Sequence, residues 1–200
     1  MTRAELIDSL TSGLKKLLKG YTLPSRLQGT DGESSGIQNV MQEVKVFAQY
    51  LPQPEGITFD SREYPNIRKY DRLKNYDADD YESNFPCVIV KLGDMTDNEE
   101  QSRNHSSVKV SILAGVYDES PECQGYMDLL NLQEVIRKWL LEERVLARKF
   151  LLRMPLMSRL DDSETWPVYF GTMELTYELG RPVRSSEYVY RYERPEIAYG

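Results

Sequence analysis

Residues 85–117 read FPCVIVKLGDMTDNEEQSRNHSSVKVSILAGVY. Phe85 to Leu92 is nearly continuously apolar and carries the β-branched trio Val88, Ile89 and Val90, the composition of a central strand covered on both faces. From Val108 the pattern changes to strict alternation. Val108, Val110, Ile112, Ala114 and Val116 share one face, and Lys109, Ser111, Leu113, Gly115 and Tyr117 share the other. A one-residue slip would turn the first set to solvent, so the register is strongly specified. Between the runs, Gly93 opens a long polar stretch that reads as a turn. Its acids Asp94, Asp97, Glu99 and Glu100 lack the alternate spacing and central glycine of a calcium loop and read as a charged hairpin turn.

Working C-terminally, Ser120 and Pro121 supply an N-cap and a first-turn proline for a long helix. Tyr126, Leu129, Leu130, Ile136, Trp139 and Leu140 follow at three-and-four spacing, widened by Leu132 and Val135. Such a broad stripe covers a sheet rather than forming a narrow coiled-coil seam. RKFLLRMPLM (148–157) is then a strand with Phe150, Leu152, Met154 and Leu156 on one face, Pro155 marking an edge or bulge. DDSETWP turns into a last strand, in which Tyr169, Met173, Leu175, Tyr177 and Leu179 point inward and Thr172, Glu174, Thr176 and Glu178 outward. The order strand, strand, helix, strand, strand defines an α+β domain. It predicts an antiparallel sheet of four to five strands with a β-β-α-β-β core, packed by this long helix and by an N-terminal one.

The N-terminal helix is marked by the capping-box pair Thr2 and Glu5. Leu6, Ile7, Leu10, Leu14, Leu17 and Leu18 form its apolar face, and Gly20 ends it in a left-handed conformation. Residues 25–36, rich in Ser and Gly, read as a flexible connection; no Gly-Lys-Ser/Thr follows that would make them a phosphate loop. EVKVFAQYL (43–51) reads as one further strand, with a helix over 38–49 as the alternative. Residues from about 53 to 84 hold no period and mix aromatic with charged side chains, as in an inserted interaction loop. The domain therefore spans 1–180 with this insertion. Residues 181–200 form a Tyr/Arg-rich arm whose alternating Tyr188, Tyr190, Arg191 and Tyr192 suit strand addition to another sheet edge. Tyr64, Tyr70 and Tyr76 in the insertion, with these arm residues, are the expected subunit or partner contacts.

Composition narrows the chemistry. The formal net charge of −7 opposes tight sequence-independent DNA binding, which needs clustered cations. Tyr at 14 copies against five Phe suits half-buried surfaces, where the ring packs and the hydroxyl stays wet. Cys87 lies in an apolar run and reads as a small buried thiol; with Cys123 it is one of two cysteines in the chain. The pair and the single His105 cannot build a zinc site of the usual paired spacing. No signal core or run approaching the ~20 apolar residues of a membrane span occurs, and a reducing cytoplasm is the expected place of assembly. No nucleophile elbow is present. Glu43-Val44-Lys45 resembles half of a restriction-type nuclease site without the Pro-Asp element. Asp161, Asp162 and Glu164 crowd one turn and cannot flank a sugar from opposite sides. Catalytic residues, cofactor and metal are therefore all expected to be absent.

Several local features recur together. Phe85-Pro86, Val88-Ile89-Val90 with Leu92-Gly93, Gly115-Val116-Tyr117-Asp118, the helix from Gly125, Pro155-Leu156, and Trp166-Pro167 with Tyr169-Phe170-Gly171 resemble the tail terminator, or tail-completion, proteins of long-tailed bacteriophages. The resemblance covers roughly residues 40–180. It implies a hexameric ring that caps the tail tube, ends its polymerisation and joins the tail to the head connector. It also implies contact with the major tail-tube protein and the connector, passage of DNA without specific binding, no membrane, and a place in the virion neck. On that reading the acidic turn Asp94, Asp97, Glu99 and Glu100 lines the lumen, where like charge keeps DNA mobile. A head-completion adaptor of the neck is the alternative, and a metal-dependent nuclease a more distant one.

Overall fold

A computed structural model describes residues 2–28, 37–52, 84–100, 103–161 and 166–180. Its first helix, α1 (Arg3–Leu17), opens on the expected capping box. The Thr2 hydroxyl accepts the Glu5 N–H at 3.2 Å and the Glu5 carboxylate accepts the Thr2 N–H at 3.1 Å, so two amides without intrahelical partners are satisfied. Leu6, Leu10, Leu14 and Leu18 are buried. Gly20 follows at φ +74°, and its N–H donates to a Glu43 carboxylate oxygen at 2.7 Å.

Among the described residues eight strands follow: β1 (Thr22–Gln28), β2 (Ile37–Glu43), β3 (Lys45–Ala48), β4 (Cys87–Glu100), β5 (Arg103–Tyr117), then helix α2 (Gly125–Glu142), β6 (Val145–Leu146), β7 (Phe150–Leu160) and β8 (Val168–Gly180). β1 and β2 make a separate antiparallel ribbon, and the remaining strands form one curled six-stranded sheet ordered β3-β4-β5-β8-β7-β6. Every pairing in that sheet is antiparallel except β3 with β4. The class is thus α+β, with two helices among the described residues and a mostly antiparallel sheet. Six strands stand where four to five were expected: β3 lies within the stretch EVKVFAQYL read as a further strand, and the two-residue edge β6 is the addition.

Helices α1 and α2 lie on one face of the sheet. Val108, Val110, Ile112, Ala114 and Val116 of β5, with Met173, Leu175, Tyr177 and Leu179 of β8, meet Leu129, Leu132, Ile136 and Leu140 of α2 and the leucines of α1 in one core. The alternation read in both strands is borne out. So is the two-sided burial of β4, because a second cluster of Phe85, Cys87, Ile89 and Tyr117 covers the opposite face at one end of the sheet.

Other expectations are corrected. Ser25–Gln28 is not a flexible connection but the second half of β1, with Ser25 buried; docking against the body supplies an order that composition hides. EVKVFAQYL is split at Val44, which is buried and donates its N–H to the Tyr21 carbonyl at 3.1 Å. The polar stretch after Gly93 is mostly strand, since β4 runs to Glu100 and β5 starts at Arg103. A bulge between Leu92 and Met95 breaks the alternation there, so no period-2 signal survives. α2 begins at Gly125 behind an uncapped Gln124, not at Pro121. Ser120 and Pro121 instead belong to a tight turn in which the Cys123 N–H donates to the Ser120 carbonyl at 3.1 Å. Tyr126 and Leu130 are exposed at 45 % and 40 %, because β5, β8 and β7 cover only one stripe of the helix. In β7 Phe150 and Leu152 are buried but Met154 is 49 % exposed. The register shifts between Arg153 and Met157, so the bulge foreseen at Pro155 turns Met154 outward.

Candidate functional site

Among the described residues three arrangements concentrate polar chemistry or unusual packing. The first is aromatic. Phe85 lies edge-on to Phe170, with centroids 5.8 Å apart, and tilted to Tyr117 at 6.4 Å. Gly115 lies beneath them, and a Cβ there would come within 2.7 Å of Phe85 and 3.0 Å of Phe170. Phe85, Gly115, Tyr117 and Phe170 are four of the residues that carry the sequence resemblance. They come from three strand regions, and their shared task is to let two rings close over a bare backbone. Cys87 is buried in this cluster, and burial pushes its thiol up to about 12, outweighing the opposing Gly115 backbone hydrogen bond and the nearby Lys45 charge.

The second is ionic. The Arg26 guanidinium of β1 donates to Asp118 at 3.2 Å, just past β5, and to Asp128 at 2.7 Å in the first turn of α2. Asp118 is completely buried, whereas Arg26 and Asp128 are 14 % and 17 % exposed at their side chains. Asp118 also accepts the Ser120 N–H at 2.8 Å, and the Glu119 N–H donates to the Arg26 carbonyl at 2.9 Å. One cation thus ties the β1–β2 ribbon to both the sheet and the helix. Asp128 sits where the helix dipole favours negative charge. Tyr21 and Tyr169 border the group; burial raises both hydroxyls, helped by Asp128 for Tyr21 and by Cys123 and Asp118 for Tyr169. Gly125 allows the Tyr169 ring to approach, since a Cβ there would meet it at 2.5 Å. This group had no signature in the sequence, because its partners lie 92 and 102 positions apart.

The third is the pair of sheet borders. β3 covers β4 only from Cys87 to Val90, and β6 covers β7 only at Phe150 and Leu151, with one further bond from the Leu152 N–H to the Arg144 carbonyl. Beyond those points neither border strand has an outer neighbour among the described residues.

Of the residues singled out from sequence, Asp94 and Asp97 are exposed on β4, and Glu99 and Glu100 occupy the end of the same strand, so this acidic group lies on a strand rather than in a turn. The Asp97 carboxylate accepts the Ser106 hydroxyl across the β4–β5 ladder. Glu43 caps the end of α1 through the Gly20 N–H, and Lys45 begins β3. His105 stands between Asn98 and Gly180 in register. Tyr64, Tyr70 and Tyr76, with Tyr188, Tyr190, Arg191 and Tyr192, lie outside the described residues, as does the insertion from 53 to 83. Among the described residues no group of three or more His, Cys, Asp or Glu side chains could hold a metal ion, and no helix is long and apolar enough to cross a membrane. Compared with known families and curated proteins, the chain matches no family and no curated protein.

Proposed function

We propose that this chain is a ring-forming structural protein of the neck of a long-tailed phage. In this reading it is a tail terminator that caps the tail tube, ends its polymerisation and presents a surface to the head connector. It is not an enzyme, and DNA passes through its ring without specific contact. What supports the reading is how the resembling residues are used. Phe85, Gly115, Tyr117 and Phe170 are spent on packing one end of the sheet, while the buried Asp118 and the partly buried Arg26 are spent on holding one ribbon in place. A sheet flanked by helices on one face and, among the described residues, open at its borders is suited to self-assembly, and head-to-tail contacts make a ring when the rotation closes.

The test is native mass spectrometry and negative-stain imaging of the purified protein, alone and with the major tail-tube protein of its own phage. Closed rings that halt tube growth are expected. Monomers under both conditions would remove the terminator reading.

A further inference from the structure

Resting on the ring reading, we propose which borders meet: the free edge of β4 in one copy seats against the free edge of β7 in the next. Both edges are open among the described residues, β4 from Lys91 to Glu100 and β7 from Arg153 to Leu160. They lie on opposite sides of the sheet. Each is interrupted by a bulge, after which an unbroken ladder continues, Met95–Glu100 on β4 and Met157–Leu160 on β7.

Their charges are opposite. Lys91–Glu100 carries Asp94, Asp97, Glu99 and Glu100 against the one cation Lys91, whereas Arg153–Leu160 carries Arg153 and Arg159 and no acid. Exposed edges are normally protected from pairing by charge, and here that protection is selective. Two β4 edges repel each other, as do two β7 edges, so a two-fold dimer through either edge is disfavoured. The acidic edge against the basic one is the attractive combination. That contact joins two different surfaces, which is the condition for a ring rather than a closed pair.

Direction and packing agree. β4, β5, β8 and β7 alternate in direction, so a following copy with its strands in the same sense brings its β4 antiparallel to β7. Exposed methionines flank both edges, Met95 at 40 %, Met154 at 49 % and Met157 at 54 %, and such side chains adapt to an apolar partner. Arg153 and Arg159 pair with Glu178 and Glu174 on the neighbouring strand yet remain 48 % and 73 % exposed. A guanidinium has five donors, so these pairs leave capacity for the incoming acids. The acidic group is thereby assigned to a subunit contact instead of a lumen wall.

The experiment uses full-length chains and native mass spectrometry. Asp94→Lys with Asp97→Lys makes both edges of one chain basic; Arg153→Glu with Arg159→Glu makes both acidic. Each variant alone is expected to lose the oligomer, and an equimolar mixture is expected to regain it, because every junction in an alternating ring again joins opposite charges. The mixing step also separates lost contact from lost folding. If the wild type forms rings and both variants still do so alone, or if the mixture stays monomeric, the edge assignment fails while the ring reading stands. If the wild type is monomeric with and without tube protein, the ring reading itself fails.

Discussion

Replacing Arg26 by methionine keeps most of the aliphatic volume and removes the charge that joins β1 to the rest of the protein. In the native structure this guanidinium makes charge-assisted bonds to Asp118 and Asp128 at 3.2 and 2.7 Å. Hydrogen bonds to charged groups are each worth ~1.5–3 kcal/mol. More costly is what remains: Asp118 has no exposure, and breaking a buried pair from one side costs ~3–5 kcal/mol because a charge is stranded. Asp128 can turn toward water and loses less. Arg26→Met should therefore destabilise by about 3–4 kcal/mol, toward the lower part of that range, since Asp118 keeps the Ser120 N–H. Asp118→Asn alone leaves the Arg26–Asp128 pair and should cost less, and the double variant should fall short of the sum by ~1–3 kcal/mol. Urea unfolding of the four proteins gives this cycle directly. An Arg26→Met loss below ~0.5 kcal/mol, or additive single effects, would show that the ribbon is held by its apolar contacts and that the ion group is incidental.

Gly115→Ala should cost ~1–3 kcal/mol in urea unfolding, since its Cβ would lie 2.7 Å from Phe85 and 3.0 Å from Phe170; an unchanged midpoint would mean that the rings have room to retreat. Tyr177→Phe should be neutral or stabilising by ~1 kcal/mol, because this fully buried hydroxyl has no hydrogen-bond partner among the described residues; a loss above that size would reveal a bond to the oxygen. Cys87 adds a pH effect with a definite sign. Below pH 9.0 the thiol is protonated in both states; between 9.0 and about 12 only the unfolded chain ionises. Stability should fall there by ~1.4 kcal/mol per pH unit from this group, and Cys87→Ala should flatten that slope. Identical slopes between pH 9 and 11 would contradict the burial argument.

Local apolar patterning was sufficient for the elements that bury one face, and for β4, which buries both. The alternations of β5 and β8, the apolar run of β4 and the leucine stripe of α1 are each written within a dozen or so residues, because a side chain's face depends only on its position along its own element. The capping box of Thr2 and Glu5 and the bulge at Pro155 were legible for the same reason. Polar strand ends were not: past the bulge at Leu92/Met95, strand is maintained by the partner ladder, and nothing in DMTDNEEQSRNH announces that partner.

Tertiary structure alone decided what no window can contain. It brought Arg26 to two carboxylates about a hundred positions away and placed Phe170 and Phe85 over the same glycine. It set β3 parallel to β4, and it put an acidic strand and a basic strand on opposite borders of one sheet. The physical reason is common to all four. Amphipathic period is a property of neighbours along the chain, whereas ion pairing, close backbone approach and edge position depend on distances that exist only after the core has closed.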